Sequence, residues 1–168
     1  MAQLPWHNHT VPIELKAVDY YDPVAQALMG EMEDNLAQFY GERHYPPQDG
    51  RDWSAPHGAM VVALWDGEPA ACGGLIRHDD DTAELKRMFT RVSYRRRGVA
   101  AMLLSHLEGM ARDLGYSMMV LETGLPQVDA QRLYLVAGYE QMDCWPPHDT
   151  DETSVCFGRP LSGARSDP

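Results

Sequence analysis

The run Arg95-Arg96-Arg97-Gly98-Val99-Ala100 has residue types suited to one kind of chemistry, the holding of phosphate. It stands between a strand-like segment and a strongly amphipathic one. A helix start leaves its first backbone N–H groups without partners and carries partial positive charge, so an anion placed there satisfies both. Gly98 removes the Cβ that would hold a phosphate away, and the small Ala100 and Ala101 keep the approach open. Guanidinium groups add donors that match phosphate oxygens. Taken alone, the arginine triplet reads equally as a solvated basic cap. Two other phosphate motifs are excluded. No Gly-Lys-Ser/Thr follows, as a nucleotide P-loop needs, and a single glycine does not make a dinucleotide fingerprint.

The elements that must position this turn follow from periodicity. Residues 84–92 form a strand, and Val99, Leu103, Leu107, Met110 and Leu114 mark one helical face that Gly115 ends. Residues 118–122 form a buried-type strand, so 84–122 reads as a strand–helix–strand unit with a right-handed crossover between parallel neighbours. Upstream, residues 12–18 alternate as a first strand. Asp22 and Pro23 then open a helix with apolar positions at Val24, Leu28, Met32, Leu36 and Phe39, as one helix or as two interrupted near Gly30. Residues 41–56 form a loop with room for one helical turn. Residues 59–65 and 69–77 make a hairpin across Asp66-Gly67, and Asp79 to Asp81 make the next turn. Downstream, residues 128–136 are helical and stop at Gly138, and 139–142 with 154–157 form a closing strand pair. The fold class is therefore α/β, a mixed sheet flanked by helices.

Composition narrows the function classes. The chain has 168 residues, 44% of them apolar and 23% charged, the balance of one soluble domain. Residues 1–11 read as an N-terminal extension, 12–161 as the domain and 162–168 as a loose tail. The net charge of −11 argues against a nucleic-acid partner, which needs clustered positive charge. No long apolar run predicts a membrane span, and the start lacks the pattern of a signal peptide, so the cytoplasm is the default location. Cys72, Cys144 and Cys156 contain no C-x-x-C and are expected to be reduced, mostly buried thiols. The seven histidines show no metal-ligand spacing, so no metal is expected.

The phosphate turn also resembles a known signature. Arg95, Gly98 and Ala100 occupy the three defining positions of the R/Q-x-x-G-x-G/A motif of the GNAT superfamily of acetyl-CoA-dependent N-acetyltransferases. Glu84-Leu85-Lys86-Arg87-Met88-Phe89 resembles the preceding strand of that family. Leu121-Glu122-Thr123-Gly124 resembles the next strand end, Ala130-x-x-Leu133-Tyr134 with Gly138-Tyr139 the following helix and turn, and Ser154-Val155-Cys156-Phe157 a closing strand. The resemblance is strong from about residue 65 to 161 and topological before that. Thr90 and Val92 depart from a common Val and Pro, Arg96 from a frequent Gly, and Gln127 from a frequent Asn.

The resemblance implies a GNAT-like sheet whose two central parallel strands splay around the acetyl-pantetheine arm of acetyl-CoA. Backbone groups of Met88, Phe89 and Thr90 would pair with that arm, amides of Arg95, Arg96, Arg97, Gly98, Val99, Ala100 and Ala101 would take the pyrophosphate, and Gln127 would reach a cofactor amide. The acceptor it implies is the amine of a small molecule, attacked directly in a ternary complex; protein acetylation and non-catalytic acetyl-CoA sensing are the alternatives. Homodimers are common in the family. Such transfer needs a base, an oxyanion donor and an acid for the sulfur. Tyr134 matches the family's acid, although its spacing alone reads as helix packing. The N–H of Met88 or Phe89 suits the oxyanion. Glu84 matches a glutamate that serves as base in some members, with a strand ion pair to Lys86 or Arg87 as its other reading. A carboxylate near 4.3 against an alkylammonium near 10.4 leaves about 6 pH units to bridge. Glu122 is a second base candidate. Tyr40, His44, Tyr45 and a lid at Trp145-Pro146-Pro147-His148 would wall the acceptor pocket.

Overall fold

The computed structural model describes residues 13–41 and 48–162. Seven strands form one sheet: β1 Ile13–Val18, β2 Ala59–Trp65, β3 Glu68–Arg77, β4 Thr82–Thr90, β5 Met118–Gly124, β6 Glu140–Met142 and β7 Ser154–Pro160. Their order is β1-β2-β3-β4-β5-β7-β6. Only β4 and β5 run parallel. They are joined by helix α2, Val99–Asp113, because parallel neighbours need a crossover. Helix α1, Pro23–Tyr40, follows β1, and α3, Val128–Val136, follows β5.

Alternation along the strands assigns the two faces. Val61, Leu75, Leu85, Leu121 and Phe157 pack with Leu103 and Leu107 of α2 and with Tyr134 of α3. Met60, Val62 and Cys72 face the other way, against Leu28 and Met29 of α1 and against Trp53. Each fully buried leucine contributes about 1.5–3 kcal/mol, which is enough for α1 to run unbroken through Gly30 at a helical cost near 1 kcal/mol. Asp22 caps α1, accepting from the N–H of Val24 at 2.9 Å and of Ala25 at 3.2 Å. Asp66 and Gly67 turn the β2–β3 hairpin with φ of 51° and 81°, the positive pair that a tight hairpin requires.

The cysteines correct the sequence reading. Cys144 and Cys156 are joined by a disulfide, with Cα atoms 5.2 Å apart. β6 pairs with β7 so that Met142 faces Cys156, and the chain beyond Met142 returns Cys144 to the same strand. That closeness belongs to the hairpin and is invisible in linear spacing. Cys72 remains a buried thiol, and burial raises its pKa to about 12. No helix among the described residues is long and apolar enough to cross a membrane.

Candidate active site

The site begins where β4 and β5 part. Their pairing runs from Thr82↔Met118 to Leu85↔Leu121 and stops, although β4 continues to Thr90 and β5 to Gly124. The β5-facing edge of β4 beyond Leu85 therefore has no strand partner. A bulge in β4 accounts for the parting. Against β3 the register passes from Cys72↔Phe89 to Gly74↔Lys86, so Arg87 and Met88 together stand opposite Gly73. Arg87 has φ of 60°, and a bulge of this kind bends and twists its strand. A Cβ on Gly73 would overlap Met88 Sδ. The paired glycines Gly73-Gly74 inside a strand were the signal for this feature, and the sequence reading did not use it.

The opening leads to the start of α2. After a short 3-10 turn at Val92–Tyr94, Arg96 takes φ of 61°, and Gly98 is the N-cap at φ 79°, ψ 4°. No side chain caps the helix, so its first N–H groups face outward without a protein partner. A Cβ on Gly98 would meet nothing within 4 Å. The glycine is thus required by its backbone angle, and the space above it is open. An uncapped helix start under an open left-handed glycine fits a pyrophosphate.

A cleft of about 1180 Å³ joins these features. Met88, Phe89 and Thr90 line it from β4, Gly98, Val99, Ala100 and Ala101 from α2, and Gln127 and Tyr134 from the far wall. Arg95 and Arg96 line it as well. Arg95 is held across its mouth, donating from Nε to the Thr90 carbonyl at 3.0 Å and from Nη2 to Asn35 Oδ1 of α1 at 3.3 Å. The Arg97 side chain is not part of the lining. Its guanidinium lies 5.2 Å from the Trp65 ring centroid and 5.7 Å from that of Tyr94, a cation–π arrangement. Helix α1 supplies Met32, Asn35 and Phe39 to the cleft, a wall that sequence reasoning did not assign to the cofactor side. Ion pairs hold α1 there. Arg91 grips Glu31 with Nη2 at 2.6 Å and Nε at 2.8 Å, and this partner lowers the Glu31 pKa.

Tyr134 is buried, its ring edge-on to Tyr139 at 5.8 Å. Its hydroxyl makes no hydrogen bond among the described residues, and burial alone pushes its pKa well above the ordinary phenol value. Tyr139 stands beside it but is engaged: its hydroxyl donates to Glu108 Oε1 at 3.0 Å. Gln127 turns its Oε1 inward, accepting from the Gly124 N–H at 3.1 Å and from the Tyr40 hydroxyl at 3.3 Å. That bridge between α1 and the loop before α3 was also absent from the sequence reading.

The carboxylates lie on the opposite sheet face from Tyr134. Glu84 is buried and held by Lys86 Nζ at 2.7 Å, with His78 Nδ1 at 3.9 Å. It sits within the paired part of β4, opposite Val120, and does not line the cleft. Glu122 lies one residue beyond the last β4–β5 pair and accepts from Ser154 Oγ at 2.7 Å. The segment with Trp145 and His148 packs near both carboxylates, Trp145 against His78 at 4.9 Å and His148 beside Glu122. His44 and Tyr45 lie outside the described residues.

Known proteins share this fold. Residues 24–139 match the model of the acetyltransferase (GNAT) family. An IAA acetyltransferase of Azospirillum brasilense is 29% identical over 141 residues, covering 83% of this chain and 92% of its own. The fold matches a GNAT-family acetyltransferase of Staphylococcus aureus Mu50 with a TM-score of 0.71 at 17% identity, over 89% of this chain and 99% of that one. It also matches a GNAT-family acetyltransferase of Elizabethkingia anophelis with acetyl-CoA bound, with a TM-score of 0.65 at 18% identity, over 88% and 97%. A chain with this sheet, this turn and this family match belongs to the acetyltransferase (GNAT) family.

Proposed function

We propose that the protein transfers the acetyl group of acetyl-CoA to the amine of a small molecule, by direct attack within a ternary complex. The observation that carries this reading is the parting of β4 and β5 after Leu85 and Leu121, which opens onto the uncapped start of α2. The unpaired edge of β4 at Met88, Phe89 and Thr90 would hold the pantetheine arm by strand-like hydrogen bonds. The N–H groups from Arg95 to Ala101, with the Arg95 and Arg96 side chains, would hold the pyrophosphate. Gln127 stands at the far wall for the amide of the arm. Acetyl-CoA supplies an activated thioester.

The chain's own residues then handle protons and charge. Tyr134, buried and kept as a neutral phenol, would donate its proton to the departing sulfur. The N–H of Met88 or Phe89 would stabilise the carbonyl oxygen as it becomes negative. Glu84 shares the acceptor face as a base candidate, but its ion pair with Lys86 must loosen before it takes a proton. The acidic net charge suits a cationic amine. The reading places the protein in the cytoplasm, where acetyl-CoA and small amines meet.

Two measurements test it. Acetyl-CoA at a hundredfold excess over its Kd should stabilise the fold by about 2.7 kcal/mol, read as a rise in melting temperature. Thiol release from acetyl-CoA across spermidine, tyramine, free lysine and peptides with free N-termini then identifies the acceptor. A protein that acetylates only the peptides overturns the small-molecule reading, and one that releases no thiol with any amine overturns the transfer itself.

A further inference from the structure

Glu122 is the first residue of β5 past the last β4 partner, and it projects from the face opposite buried Leu121. Its two oxygens have different neighbours. Oε1 accepts from Ser154 Oγ at 2.7 Å, and Oε2 faces His148 Nδ1 at 4.0 Å. His148 stands in a short 3-10 turn, His148–Thr150, fixed by its own N–H donating to the Trp145 carbonyl at 2.7 Å. The Trp145 ring lies edge-on to the His148 ring at 6.0 Å and edge-on to the His78 ring at 4.9 Å. Just before Trp145, the Cys144–Cys156 bond fastens this loop to β7, where Cys156 is the partner of Glu122. Both side chains stay reachable, at 24% exposure for His148 and 27% for Glu122.

This sets an imidazole beside a carboxylate one residue past the last β4–β5 pair, outside the lining of the cleft as Glu84 is. Tyr134 stands on the other side of the sheet. Moving a proton from an alkylammonium to a carboxylate is uphill by a factor of about 10⁶, and to an imidazole by about 10⁴. Glu84, the other carboxylate on this face, is already paired with Lys86.

We infer that His148 is the base that takes the acceptor's proton, with Glu122 as the positioning residue that fixes its ring. The inference rests on the acetyl-transfer reading above. With Nδ1 turned toward Glu122 at 4.0 Å, Nε2 is the ring nitrogen left for the acceptor. The ammonium brings three N–H protons. Nε2 takes one and passes it to solvent, and the nitrogen forms its bond to the carbonyl carbon. The C–S bond breaks as the sulfur takes the Tyr134 proton, the second N–H proton returns to that phenolate through solvent, and the amide keeps the third. The charged groups around the imidazole, among the described residues, are Glu122 of β5, His78 beside Trp145, Glu84 and Lys86 behind His78, and Asp149 and Asp151 on its own loop.

The test is the pH profile of kcat/KM for the best amine of the panel, in wild type, His148→Gln, His148→Ala and Glu122→Gln. Loss of a positioned base lowers the rate by about 10²–10⁴. His148→Gln should show that loss and lack the limb on which acid silences the imidazole. His148→Ala should regain activity with added imidazole. Glu122→Gln should lose less than His148→Gln. All should keep the melting-temperature rise with acetyl-CoA, which shows that fold and cofactor site are intact. A His148→Gln protein with wild-type rate and profile overturns the inference, as does Glu122→Gln losing everything while His148→Gln loses nothing. Wild type silent with every amine instead overturns the parent reading.

Discussion

The Tyr40 hydroxyl occupies the space in which any residue other than glycine at position 124 would carry its Cβ. Its proton goes to Gln127 Oε1 at 3.3 Å, so the C-terminal end of α1 is tied to the loop before α3. These are two walls of the cleft. Gly124→Ala should expel Tyr40 and cost about 1–3 kcal/mol, the range for overpacking. Acetyl-CoA should also bind less tightly as the walls separate. Tyr40→Phe keeps the ring and loses the hydrogen bond to Gln127, at about 1 kcal/mol. Urea unfolding and acetyl-CoA titration measure both. A Gly124→Ala protein with unchanged stability and affinity would show that the contact holds nothing.

Gly98 and Arg97 are neighbours with opposite expectations. Gly98→Ala forces an L residue into a left-handed angle, costing about 1–2 kcal/mol, and puts a methyl group where phosphate would approach. Its acetyl-CoA Kd should rise by roughly tenfold or more, equivalent to about 1.4 kcal/mol. Arg97→Ala removes a guanidinium that stacks on Trp65 and Tyr94. It should lose about 0.5–1 kcal/mol of stability and leave the Kd unchanged. Calorimetric titration beside thermal melts separates the two effects, and equal loss of affinity in both variants would mean that the Arg97 side chain also serves the phosphate.

Tyr134→Phe should leave acetyl-CoA affinity intact and slow thiol release by about 10²–10⁴. Its hydroxyl has no hydrogen-bond partner among the described residues, so stability should hardly change. Burial raises the Tyr134 pKa, which fixes the sign of its pH dependence. The folded state favours the neutral phenol. That contribution to stability is complete below the ordinary phenol value of about 10 and fades as pH climbs above it. Wild-type kcat should therefore show no alkaline loss from Tyr134 below about pH 10. An alkaline limb near pH 8 that vanishes in Tyr134→Phe would contradict this assignment.

The parts of the site that sequence revealed are local ones. A glycine before an apolar helical face, with small residues after it, marks Gly98 and the start of α2 because helix signals extend only a few residues. The parting of the strands was available only through resemblance to the family. Its physical cause, the Arg87–Met88 bulge opposite Gly73, depends on a register between two strands. Glu84 and Glu122 show the same boundary. Both read as strand glutamates near the cleft, and only pairing places one inside the β4–β5 ladder and the other just past its end. His148 was legible as a lid residue and not as the neighbour of Glu122, which lies 26 residues earlier in the chain.

Cys144 and Cys156 were missed for the same reason, and they allow a direct count. The chain has three cysteines. Native, unreduced protein should expose no reactive thiol, since Cys72 is buried with its pKa raised to about 12 and the others are bonded. Denaturant alone should release one thiol, and denaturant with reductant all three. Purification under non-reducing conditions with immediate alkylation is the informative arm, because it preserves the native thiol count. Cys144→Ser should lower stability by roughly 3 kcal/mol, the loop-closure value for a loop of about 15 residues. Because this bond fastens the loop that carries His148, the same variant should lose activity before it loses acetyl-CoA binding. Three thiols alkylated in denatured, unreduced protein would remove the bond, and its hold on that loop, from the account.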